Sequence, residues 1–310
     1  MISFIIRRLL VTLPVLLGIT LLVFSILHVI PGNPAQILLF GSSPTPQQIS
    51  NLDHQLGLNG SFFAQYWHYL VQLAHGNLGY SYSSQQTVAA EVGSQLPYTI
   101  NLSLAALAVA LGVGVPLGIV AGIRPGGVVD KVATGVAVLG VAIPYFWLAI
   151  LLVLVFAVRL RWLPALGTGS ADALILPAVA LGWGFAAIIA RLLRNNIIEV
   201  YERPFMLVAR AKGFSEWQLL WRHAMRNAVA STVTIVGLQI GYLLAGAVAI
   251  EVIFGRPGIG SFLVARIQEK DVPSIQGVVL LVAVAYLVVN LLVDITHGLL
   301  DPRIRQGWSR

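Results

Sequence analysis

Residue types able to do chemistry are few in this chain and poorly arranged for catalysis. Only 10% of its 310 residues are charged and none is cysteine, which removes disulfides, thiolate nucleophiles and Cys-based metal sites. Lys131, Lys212 and Lys270 are followed by Val, Gly and Asp and lack the glycine frame of a phosphate-binding loop, so the chain has no means of hydrolysing ATP by itself. HExxH and GxSxG are absent too, and no catalytic constellation is visible. His54, His68 and His75 fall in one polar stretch. Without a carboxylate or thiol at ligand spacing they read as surface or hydrogen-bonded residues rather than a metal centre. Glu251 and Asp294 lie near the ends of apolar runs, where an ionised carboxylate avoids the cost of about 3 kcal/mol at the bilayer centre. Structural pairing is expected of both in preference to a proton relay, with His297 one turn from Asp294 as a local partner.

The elements around these residues are those of an integral membrane protein. Hydrophobic residues make up 57% of the sequence and come in long blocks. Six blocks approach the roughly 20 residues needed to cross the hydrocarbon: Leu9 to Ile30, Thr99 to Ile123, Val132 to Val158, Ala173 to Leu193, Val229 to Ile253 and Ile275 to Leu299. The first follows Arg7 and Arg8 as a signal peptide would, but it is too long and no cleavage site follows, so it is expected to stay as a span. The fold class is thus all-α, a single transmembrane domain over residues 1–310 in the cell membrane. With both termini cytoplasmic, only Arg159, Arg161, Arg256, Arg266 and Lys270 of the 19 basic residues fall outside. The long loop 31–98, which has no Lys or Arg, and the loop 254–274 are then external, whereas 199–228 is cytoplasmic. This topology explains the net charge of +7 better than nucleic-acid binding does, since no basic patch is interleaved with stacking aromatics.

The cytoplasmic connector from Glu202 to Ala228 stands apart. Pro204 suits a first helical turn and Gly213 a left-handed helix end, predicting one short helix. Ser215 and Gln218 have capping-box spacing, and Phe214 and Leu219 have that of a hydrophobic staple, predicting a second helix at once. A solvated connector whose charges only fix topology is the plain reading. Against it stands the run Phe205, Met206, Leu207, Val208, which water would not favour and a binding groove would.

Within the spans, Gly114, Gly118 and Gly122 recur every four residues, as do Gly237, Gly241, Ala245 and Ala249, a spacing that lets helix backbones approach closely. The second series leaves Gln239 and Tyr242 available to line a pathway. Pro144 predicts a kink in the third span, and Trp183 between two glycines suggests a local widening of the fourth. In the first loop, Ser61 to His75 carries Tyr66, Trp67 and Tyr69 on a helical pattern suited to the headgroup layer. Pro273 is expected to introduce the last helix.

The strings ARAKG, Ala209 to Gly213, and RHAMRNA, Arg222 to Ala228, resemble the cytoplasmic coupling loop of ABC importer permeases of the dipeptide, oligopeptide and nickel group. GNLGYS (Gly76 to Ser81), PGNPA (Pro31 to Ala35) and the closing LLDPRIR (Leu299 to Arg305) are similar to patterns of the first permease of the pair. The single NPA triplet is otherwise a coincidence with water channels, which carry two. Ala209 and Gly213 match the general importer loop, while Leu207 and Val208 stand where its acidic residue and first alanine would be. The resemblance implies a type I importer architecture with a second, similar permease, two cytoplasmic ATPase domains holding ATP and Mg, and an external substrate-binding protein. No cofactor is expected on this chain. The resemblance implies ATPase coupling through Phe205, Met206, Ala209, Arg210, Ala211, Lys212 and Gly213, with peptides or similar small solutes imported by alternating access. An ion-coupled secondary transporter or channel is the alternative, but broken helices with an ion site or internal repeats would mark it. A membrane-embedded enzyme lacks its catalytic residues.

Overall fold

In the computed structural model, which describes residues 2–29, 45–55 and 60–300, the chain is helical, and no strand occurs among the described residues. In order the helices are α1 (Ile2–Val29), α2 (Pro46–Gln55), α3 (Phe62–Ala74), α4 (Val88–Ile123), α5 (Val128–Ala142), α6 (Tyr145–Leu152), α7 (Asp172–Tyr201), α8 (Pro204–Ala211), α9 (Glu216–Leu219), α10 (Met225–Ile253), α11 (Ile259–Gln268) and α12 (Val272–Leu300). Wider π-type turns extend α6 over Val153–Arg159 and join α9 to α10 over Leu220–Ala224. Among the described residues three helices are long and apolar enough to cross a membrane, and α5 with α6 makes a fourth if that bent pair is one span.

The predicted blocks lie on these helices, but the helices outrun them. α4 begins at Val88 and passes Pro97 without interruption, and α7 runs two turns beyond Leu193 because Ile197 and Val200 are buried. At Pro144 the expected kink is a full break: Ile143 and Pro144 are extended, and α5 and α6 meet at 102°. A proline lacks the N–H that would continue the ladder and disfavours the helical region for the residue before it. The expected widening at Trp183 is not found. α7 is continuous there, and Gly182 packs tightly against the Ala106 carbonyl, so glycine serves close approach instead.

Two compact units share the chain: Tyr98–Ser261 with the chain from Val288 onward, and Ile2–Pro97 with Phe262–Leu287. In the first, α7 is the axle. Along α4, a Cβ at Gly114 would stand 2.6 Å from the Ala186 carbonyl oxygen of α7, one at Gly118 2.8 Å from that of Ala190, and one at Gly122 2.9 Å from the Ile197 Cβ. The glycine ladder is therefore a backbone-on-backbone seam. Gly237 of the second series lies as tightly against Val293 of α12. At one end of α7, Leu176, Ala180 and Leu181 pack with Leu102, Leu243, Ile250 and Phe254; at the other, Leu193, Ile197 and Val200 pack with Leu219, Leu220 and Met225. Near the second end, Nε and Nη2 of Arg194 donate to the buried Asp130 carboxylate, which also accepts from the Gly126 N–H at 2.8 Å and the Thr134 hydroxyl at 3.2 Å.

In the second unit, α3 lies along α1. Tyr66 donates to the Leu17 carbonyl at 3.0 Å and its hydroxyl meets that of Thr20 at 2.9 Å, while Phe24 stacks on Phe62, Tyr66 and Tyr69. The opposite face shows Phe63, Trp67 and Val71, an exposed stripe at four-residue spacing that keeps the expectation of a lipid-facing helix.

Two measurements test this packing. Gly118→Val should lower stability by about 1–3 kcal/mol through overpacking, read as a lower melting midpoint of the detergent-purified protein, whereas Gly112→Ala, facing open space, should not. The Arg194 guanidinium, helped by the Gly126 amide, holds the Asp130 carboxyl well below the usual carboxylate range. A depressed folded value means the contribution is complete above the unfolded value of about 4 and disappears as pH falls through the folded one. Stability from this pair should thus be flat from neutral pH down to about 4 and decline only below. Asp130→Asn should melt earlier at neutral pH and lose that acid limb.

Candidate functional site

The connector between α7 and α10 folds as its residues dictate. Arg203 is extended and Pro204 opens α8, where a missing N–H costs nothing. The helix stops at Gly213, whose φ of +85° only glycine adopts freely. The Gly213 N–H donates to Arg210 at 2.9 Å and the Phe214 N–H reaches Ala209 at 3.3 Å, a complete Schellman closure. Ser215 and Gln218 then exchange the two bonds of a capping box at 3.0 and 3.3 Å. The second predicted helix is real, but it is not a separate one. From Glu216 it continues through the π-type turn into α10, because no Gly or Pro interrupts the sequence before Gly237.

The predicted docking residues divide by face. Met206 and Ala209 are buried, packed into the core with Leu193, Ile197, Leu219 and Ala224, so they hold α8 in place. Phe205, Arg210, Ala211, Lys212 and Gly213 are exposed. Beside them Leu207 is 73% and Val208 54% exposed, on the same side of α8 as Pro204 and Ala211. Trp217, 69% exposed, stacks edge-on against Trp221 at 5.4 Å between ring centroids. The two tryptophans were missed as site candidates, although their four-residue spacing on a capped helix was there to read. Arg210 pairs with Glu216 at 3.1 Å and lies over the Tyr201 ring, fixing α8 against the start of α9. The elbow therefore presents an apolar surface edged by Arg203, Lys212 and Arg222, on a base that it cannot leave without breaking its own core.

Gln239 and Tyr242 share one side of α10; Gln239 is half-buried and Tyr242 is 71% exposed. Glu251 is fully buried and serves structure. It accepts from the Thr99 hydroxyl at 2.6 Å, the Gly260 N–H at 2.8 Å and the Ser261 N–H at 3.1 Å, and so caps the first turn of α11. His68 meets Gln72 and His75 meets the Val71 carbonyl. The side chains of His54, Asp294 and His297, the Pro31 to Ala35 string and the tail from Asp301 lie outside the described residues.

The stretch ahead of α4 and the stretch from α11 to the start of α12 carry a polar knot that sequence reasoning overlooked. Asp271 accepts from the Ser81 and Ser83 hydroxyls, the Tyr82 N–H and Ser274, while Arg266 binds Glu91 at 2.6 Å and reaches Ser83 and Glu269. Burial alone would push the Asp271 carboxyl up, but these hydrogen bonds outweigh it and leave it below its ordinary value. An Asp before Val-Pro-Ser is a helix-cap signature, and it could have been found.

The chain has clear relatives among known proteins. Over residues 114–306 the chain matches the family described as binding-protein-dependent transport system inner membrane component, and over residues 1–103 that family's N-terminal region. It is 38% identical over 333 residues to the dipeptide transport system permease protein DppB of Alkalihalophilus pseudofirmus, covering 98% of this chain and 100% of that one. To the glutathione transport system permease protein GsiC of Escherichia coli K12 it is 37% identical, covering 98% and 99%. Its fold is similar to a chain of the MetNI methionine ABC transporter solved in inward-facing form, with a TM-score of 0.55 at 17% identity, over 68% of this chain and 96% of that one. This chain belongs to the family of inner membrane components of binding-protein-dependent transport systems.

Proposed function

We propose that this chain is one membrane half of an ATP-driven importer for di- or oligopeptides or similar small solutes, and that α8 is its docking point for an ATPase subunit. The observation that carries the reading is the exposed Leu207 and Val208 on a helix whose opposite residues, Met206 and Ala209, are locked into the end of α7. An apolar surface of this kind in water calls for a groove on a partner, and a rigid base lets the partner's motion pass to α7 and α10. Phe205, Arg210, Ala211, Lys212 and Gly213 would line that contact. The chain would have six spans with both termini cytoplasmic, the first loop outside, and Gln239 and Tyr242 facing the pathway.

Partners follow from the same reading: a second, similar permease, two cytoplasmic ATPase domains that hold ATP and Mg, and an external binding protein that selects the cargo. Relatives named for dipeptide and glutathione transport support a peptide-like solute. When the ATPases close, the two coupling helices would draw together and swing the spans between inward-open and outward-open states, a rigid-body change. ATP hydrolysis would take place on the partners, with no catalytic group on this chain.

The test separates docking from folding. Gly213→Val forces a β-branched residue into a left-handed position, a cost of about 1–2 kcal/mol, and should distort the elbow. Leu207→Asp and Phe205→Asp place a charge on its face. All three should insert in the membrane normally, yet lose the ATPase subunit on co-purification and with it ATP-dependent uptake in proteoliposomes. Undiminished ATPase recovery with all three would remove α8 from this role, and uptake by the lone chain on an ion gradient would favour a secondary transporter.

A further inference from the structure

Between α4, α5 and α7 lies a cavity of about 160 Å³. Its walls are mostly apolar, with Leu117, Ala121, Ala137 and Val138 among them; Thr134 and Arg194 also line it but are engaged with Asp130, and the exposed Arg191 and Asn195 complete its polar rim. Apolar cavities of about 150 Å³ stay dry and accept a benzene-sized guest, so this one suits a length of hydrocarbon better than water. The rim has the opposite character. Arg194 is neutralised by Asp130, and its NH1 donates to the Asn195 side-chain oxygen at 3.1 Å, which leaves the Asn195 amide hydrogens unused. Arg191 has no hydrogen-bonding or ionic partner among the described residues. One unpaired guanidinium and a free amide donor therefore sit directly over an oily slot.

We propose that this slot holds an anionic phospholipid, with an acyl chain against Ala137 and Val138 and the phosphate on Arg191 and Asn195. A free phosphate would satisfy the rim and leave the slot empty, whereas a lipid satisfies both. Val138, which lines the slot, is 57% exposed, so the apolar wall is accessible from outside the chain. The lipid belongs to the inner leaflet, which rests on the cytoplasmic placement of Arg191 proposed above. Seated there, it wedges α5 against α7 beside the Asp130–Arg194 pair.

The experiment uses the permease–ATPase complex, extracted in detergent and mixed with equal amounts of phosphatidylglycerol and phosphatidylcholine, with retained lipid read by native mass spectrometry. One basic residue at a membrane surface favours anionic lipid about five-fold, and that preference is expected. Arg191→Gln should abolish it and Arg191→Lys should largely keep it. Ala137→Phe, which fills the slot, should lower retention of both lipids, and Lys131→Gln, off the cavity lining, should cost less of the preference than Arg191→Gln. Equal retention of the two lipids by the unaltered complex, or a preference that survives Arg191→Gln, would overturn the site. Competition by millimolar inorganic phosphate would assign the rim to a free anion and overturn it likewise. ATP-dependent uptake measured on the same preparations keeps the two readings apart: uptake without lipid preference sinks the lipid site alone, and lipid preference without ATPase-driven uptake sinks the importer reading alone.

Discussion

The first unit rests on the distance at which α4 can approach α7. With glycine at 114, 118 and 122 the two backbones meet with no side chain between them on the α4 side, and α7 answers with Ala186, Ala190 and Ile197. Lipid tails are as apolar as leucine, so helices in a bilayer gain little by merely hiding apolar surface from each other. What holds them is dense contact and dispersion, each pair of atoms adding about 0.1–0.2 kcal/mol, and that gain is largest where the backbones lie closest. The seam runs over roughly two helical turns, which fixes the rotation of α7 as well as its position.

A fixed α7 has consequences at both ends. Its first turns pack against α6 and α10 beside Phe254, and its last two turns leave the apolar block and continue as core for the elbow. Met206 inserts fully buried beside Ile197, so α8 is an outgrowth of the α7 core rather than a tethered loop. Force applied to the outer face of α8 therefore has no soft joint through which to dissipate before α7. Gly213 and the capping box turn the chain within three residues, and the helix that follows is continuous with α10. The elbow thus meets two long helices at once: the chain bends at Arg203 on leaving α7, and α9 runs into α10 through the π-type turn at Leu220–Ala224.

Much of this was legible in the residues. Pro204, Gly213, Ser215 and Gln218 act through local backbone chemistry, and their positions alone predicted the cap, the left-handed stop and the restart. The spacing of Gly114, Gly118 and Gly122 predicted close approach for the same reason. Helix ends read poorly, because they are set by tertiary burial: Ile197 and Val200 extend α7 only because Met206 and Leu219 cover them, and no local signal announces that. Trp183 between two glycines was misleading, since a missing side chain can mean either space or contact, and only the partner helix decides. The same blindness affected the proposed docking face, where Met206 and Leu207 are equivalent in type and opposite in burial. The polar knot around Arg266 and Asp271 joins residues up to 190 positions apart, beyond any local pattern.

The buried acids complete the picture by what they are not used for. Asp130 is held by Arg194 and the Gly126 amide, Glu251 by Thr99 and the first amides of α11, and Asp271 by three serines and an amide. Each of these acids lies near a helix end, where hydroxyls, amides or a guanidinium supply hydrogen bonds that the middle of a span would not. A group so fully engaged is a poor carrier of protons, because releasing it for a relay would leave its donors unpaired in a buried site. These three buried acids thus fasten helix ends, and the proposed route by which work enters is the elbow instead. That division of labour fits a body moved by another protein better than one driven by the titration of its own interior.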